Sequence, residues 1–156
     1  MRRKGNSLYF AQGEEEKFYR AIRLYGRFWR YRRLTDQEIN DTVQHEKAHI
    51  DTAIELGRGD QITGYQLGTD ISGLFSREYK FVATVCFGYG LSKEESLRIG
   101  LAAEKPSPRD FFNATWPHTK KAIQLMKAVM ETGGTVRDMK QSILKNFLEE
   151  ILEQKK

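Results

Sequence analysis

Five consecutive residues, His45-Glu46-Lys47-Ala48-His49, constrain this chain more than any other stretch. They use two of its three histidines. On a helix, positions four apart share a face, one turn above the other. Two imidazoles so placed can hold one divalent ion, at roughly 2.0–2.1 Å if the ion is Zn²⁺. Glu46 sits about 100° further round such a helix. From there its carboxylate can reach a metal-bound water without taking a ligand position. The bland alternative is a helix with two surface histidines and a surface glutamate. Two conditions separate these readings: the run must lie inside a helix, and a third ligand must be available elsewhere.

The flanking sequence supplies the helix. Thr35-Asp36-Gln37-Glu38 is a capping box, in which a hydroxyl and a carboxylate three residues apart satisfy each other's backbone N–H groups. Ile39, Val43, Glu46, Ile50 and Ala53 then follow one side of the helix. His45 and His49 lie on the adjoining side with Thr42 and Thr52, and Gly57 and Gly59 close the helix.

Ahead of it, residues 1–13 are charged and glycine-containing without a period and read as a mobile basic arm. A helix opens at Glu14-Glu15-Glu16 and runs to about Arg33. Beyond the metal helix, Gln61–Leu67 and Tyr79–Phe87 read as strands, with a further short strand around Ile71–Phe75. Ser92-Lys93-Glu94-Glu95 starts a helix to about Glu104. Ser107-Pro108-Arg109-Asp110 starts another, Pro117 begins or kinks the next, and Thr135 caps the last. The expected fold is α+β and mostly α, with five to six helices around a two- or three-stranded antiparallel sheet.

A catalytic zinc has three protein ligands and an open position. His118, the remaining histidine, stands at a helix start. Glu55 follows His45 by ten residues, but Thr52 stands where a glycine turn would be needed to bring it back. Asp60 reads as a turn residue, and Glu94 and Glu95 as capping residues. Asp70, Glu78, Glu104 and Asp110 remain. Asp110 opens a helix after the sheet, where dipole compensation and metal ligation are equally good accounts of it.

At 156 residues the chain is read as one domain over 14–156 behind the arm. Its single cysteine, Cys86, excludes an internal disulfide and reads as a small buried hydrophobe. No stretch reaches the ~18–20 apolar residues of a membrane span, and no apolar segment follows the basic N-terminus as a secretory signal requires. A cytoplasmic location is therefore expected. The net charge of +5 permits contact with nucleic acid or an anionic surface. Arg20, Arg23, Arg27 and Arg30 recur at helical spacing, interleaved with Tyr19, Tyr25, Trp29 and Tyr31. That makes nucleic-acid or surface binding the competing function, against a solvated helix face.

The order of elements resembles the zincin-type peptidase domain of membrane-bound ATP-dependent zinc proteases, and distantly the site-2 proteases. His45-Glu46-x-x-His49 is followed by Leu56-Gly57 and then by Ile62-Thr63-Gly64-Tyr65-Gln66-Leu67. Gly100-Leu101-Ala102-Ala103-Glu104 later precedes Ser107-Pro108-Arg109-Asp110. The resemblance implies a zincin-like metal helix, Zn²⁺ as cofactor, and Asp110 as third ligand beside His45 and His49. It also implies hydrolysis of a peptide or protein substrate with Glu46 as general base, or a degenerate relative that keeps the shape without the activity. Tyr65, Tyr89 and His118 are the candidate partners of the oxyanion. The chain has no Walker motif, so ATP-driven unfolding is not implied.

Overall fold

The computed structural model describes residues 1–4, 7–72 and 78–155; the side chains of Lys4, Asp70, Ile71, Ser72 and Glu78 lie outside that description. Among the described residues it is α+β and mostly α, with six α-helices and one four-stranded antiparallel sheet. The chain gathers into two compact units, residues 1–47 with 59–89 and residues 48–58 with 90–156, where the sequence reading drew one domain over 14–156.

In the first unit, strands β1 (Arg2–Lys4), β2 (Ser7–Ala11), β3 (Ile62–Ser72) and β4 (Glu78–Phe87) lie side by side in chain order. The expected mobile arm is thus corrected to two strands, and the sheet is wider than the two or three strands expected. The reason is long-range: Leu8 faces Leu67 and Phe10 faces Tyr65 across the β2–β3 ladder. Leu8 and Phe10, two apart, point to the same buried side. Ile71 and Ser72 of the expected short strand belong to β3, and the rest of that segment lies outside the described residues.

Helix α1 (Glu15–Arg27) drops Phe18 and Ile22 into the core, both with no exposure. The Phe18 ring stacks on Tyr65 with centroids 4.9 Å apart and meets Phe10 at 5.9 Å. The helix stops at Arg27 rather than Arg33. Trp29 turns away to donate from Nε1 to Thr69 Oγ1 (3.0 Å) and to pack on Phe81, and Tyr31 stacks on Tyr79. These tertiary contacts override a helical pattern that local propensity would have continued. Arg30 is consequently not part of a helical stripe with Arg20, Arg23 and Arg27.

Helix α2 (Asp36–Glu55) starts as expected: Glu38 N donates to Thr35 Oγ1 at 3.1 Å, and Thr35 N returns a bond to Glu38 Oε1 at 3.2 Å. The division between the units falls inside this helix, between Lys47 and Ala48.

The second unit holds the rest of α2 with α3 (Lys93–Gly100), α4 (Pro108–Thr115), α5 (Thr119–Glu131) and α6 (Val136–Gln154). Capping boxes at Ser92/Glu95, Ser107/Asp110 and Thr135/Asp138 start α3, α4 and α6. Leu97, Leu101, Phe111, Ala122, Ile143 and Phe147 form its apolar centre. Gly100 lets α3 and α4 approach closely, since a Cβ there would stand 2.8 Å from the Ala114 Cβ.

Candidate metal centre

His45, Glu46 and His49 lie on one unbroken helix, the two histidines one turn apart, as the sequence requires. Their ligand atoms all fall within 4.8 Å of one another. Helix α2 carries Ile39, Val43, Ile50 and Ala53 on its buried side. The period that buries these four also takes Glu46 to 7% exposure, and His49 is 5% exposed. His45 is half-buried. A buried carboxylate beside two imidazoles is costly unless it is paired or serves a cation.

His49 is oriented by the second unit. Its Nδ1 lies 2.7 Å from the carbonyl oxygen of Ile99. A carbonyl can only accept, so Nδ1 carries a proton. This is the arrangement that fixes tautomer and direction in metal-bound histidines. Nε2 in turn faces Asp110 Oδ1 at 3.5 Å. Two lone-pair-bearing atoms at that separation repel each other unless a cation, a proton or a metal ion, lies between them. Two ligand atoms of a tetrahedral zinc site stand about 3.3 Å apart, so the observed spacing fits that donor set.

The two oxygens of the Asp110 carboxylate have different neighbours. Oδ2 accepts from Ser107 N at 2.9 Å, closing the capping box of α4, while Oδ1 is turned toward His49. The group His45–Glu46–His49 could hold a metal ion, and Asp110 is the acidic residue that reaches its second histidine.

The other candidates are placed elsewhere. Glu104 is exposed and paired with Arg137, and His118 stands at the N-cap of α5. Asp70 and Glu78 carry side chains outside the described residues. Glu55 is exposed on the last turn of α2, which runs straight through Thr52. Of the oxyanion candidates, Tyr89 is fully exposed. Tyr65 is 1% exposed inside the aromatic core of the first unit, where burial, with Glu15 adding, pushes its phenol well above the ordinary range. That takes Tyr65 out of the chemistry.

Two features of the site had no sequence signal. One is the Ile99 carbonyl, 50 residues from His49. The other is Cys86, half-buried on β4 in the first unit, whose thiol pKa is raised by burial and further by the Glu46 carboxylate. Residues 40 positions apart in sequence share no local pattern that could announce the approach.

Arg20 and Arg23 are exposed on α1. Arg27, at its end, meets Asp36 at 3.7 Å, and Arg30 lies beyond the helix against Tyr31. No described helix is long and apolar enough to cross a membrane. No family model, curated protein or solved structure matches this chain.

Proposed function

We propose that this protein is a zinc-dependent peptide-bond hydrolase, with Zn²⁺ held by His45, His49 and Asp110 and with Glu46 as general base. The observation that carries this reading is the His49 side chain. Its Nδ1 proton is directed at the Ile99 carbonyl and its Nε2 faces the Asp110 carboxylate, one helical turn from a second imidazole and beside a buried glutamate.

Zn²⁺ in such a donor set lowers the pKa of a bound water toward about 7 and polarises a carbonyl. The chain's own residues do the rest. Glu46, neighbour to both imidazoles and shielded from solvent, takes the proton of the attacking water and delivers it to the departing amine. Ile99 and Ser107 hold His49 and Asp110 in direction, so neither must reorganise as charge develops. A substrate backbone pairs along the outer edge of β4, the end strand of the sheet.

The test is hydrolysis of a denatured protein substrate by the zinc-loaded chain and by Glu46→Gln. The variant is expected to keep its zinc and to lose activity by at least about 100-fold. Undiminished hydrolysis would remove Glu46 as the base. An intact site with no hydrolysis in the parent chain would instead favour a zincin-like protein without activity.

A further inference from the structure

A second binding surface lies in the first unit and owes nothing to the metal reading. Between Lys17 and Thr35 the sequence has six arginines and no acidic residue. Arg27 and Arg32 meet Asp36 and Glu38. No ion pair to a described residue is formed by Arg20, Arg23, Arg30 or Arg33, and Lys80 stands opposite Asp70 in the β3–β4 ladder.

Where α1 ends, the chain forms one side of a groove of about 620 Å³, whose lining includes Trp29, Tyr31, Tyr79, Phe81 and Lys80 together with the Arg32–Glu38 ion pair. The Tyr31 and Tyr79 rings stack 3.8 Å apart and only 4° from parallel. Each is 42% exposed. Arg30 lies over Tyr31, 5.8 Å from its centroid, so a guanidinium adjoins the half-exposed ring pair. Trp29 is fixed beside it by its bond to Thr69 and its edge contacts to Tyr31 and Phe81.

We infer that this groove binds single-stranded nucleic acid. A half-exposed aromatic stack accepts the flat face of a base, and the arginines around it accept the phosphates. Both parts are needed to explain the surface. Acidic peptides would satisfy the arginines but would leave the parallel rings without a function. A duplex would offer phosphates but keep its base faces stacked inside. The expected complex places a base on Tyr79, with Arg30, Arg33 and Lys80 along the backbone.

The experiment uses the full chain with a fluorescein-labelled oligothymidylate of roughly a dozen nucleotides. Anisotropy is followed as salt is raised, with the matched duplex and a polyglutamate competitor as further arms. Binding at low salt is expected, weakening by about 0.7 log units per log unit of salt for each phosphate neutralised. Tyr79→Ala should weaken it at least about five-fold, and Tyr79→Phe should restore it. The double variant Arg30→Glu/Arg33→Glu, both exposed positions, should weaken it and flatten the salt slope. In a Trp116→Phe background the remaining tryptophan, Trp29, should be quenched by the oligonucleotide. Absence of binding at low salt, equal affinity for the duplex, or indifference to Tyr79→Ala would each overturn the inference. Polyglutamate competing as well as the oligonucleotide would overturn it in favour of an acidic peptide.

Discussion

The two nitrogens of His49 have different roles, and the difference comes from a residue that is chemically silent in sequence. Ile99 contributes only a carbonyl, yet it engages Nδ1 and leaves Nε2 to face Asp110. Removing the ring should therefore cost metal: His49→Ala is expected to bring bound zinc well below one ion per chain by elemental analysis, since two of three ligands seldom suffice. A second prediction concerns Glu38. The Arg32 guanidinium grips its carboxylate with bonds of 2.9 and 2.7 Å, and the Thr35 N–H adds a third. Together they hold its pKa at about 2, against 4.5 for a free glutamate. A pKa lower in the folded state than in the unfolded one gives stability that is complete above the unfolded value and lost as pH falls through the folded one. The melting temperature of Glu38→Gln should thus lie below that of the parent by a constant margin above about pH 5, with the gap closing between pH 4.5 and 2. A gap independent of pH would contradict the pairing.

At the scale of elements, the helix starts were legible because capping boxes are local. Thr35, Ser92, Ser107 and Thr135 each bond a backbone N–H three residues on, and that spacing can be read from sequence. The end of α1 was not legible. Gly26 weakens the last turn, but where the chain goes next is set by Trp29 and Tyr31, which find partners on strands about 40 to 50 residues away. Strands β1 and β2 were missed for the same reason, since Leu8 finds its buried surroundings only against Leu67. Packing within the elements makes two further predictions. Phe18→Ala should cost about 3–5 kcal/mol in chemical denaturation, because it empties the aromatic centre of the first unit. Gly100→Ala should be destabilising even though alanine favours helix, because its Cβ would meet Ala114 at 2.8 Å and push α4 away from α3. A stabilised Gly100→Ala would show that the two helices separate freely.

Taken as a whole, the molecule divides its tasks between local and distant sequence. His45, Glu46 and His49 could be recognised together because one helix carries all three. Asp110 could be named only as one of several acidic residues, because its approach to His49 depends on how α3 and α4 fold against the end of α2 in the second unit. The aromatic groove was half-visible: the arginines and rings were plain in the sequence, but their arrangement became clear only where α1 stops short. The central claim is that a divalent ion belongs between these side chains. Its most direct test is the metal content of protein purified without added zinc, measured by elemental analysis alongside His45→Ala/His49→Ala. The expected result is close to one zinc per chain in the parent and almost none in the variant. A parent without metal that takes up none when zinc is supplied, or a variant that retains it fully, would contradict the account.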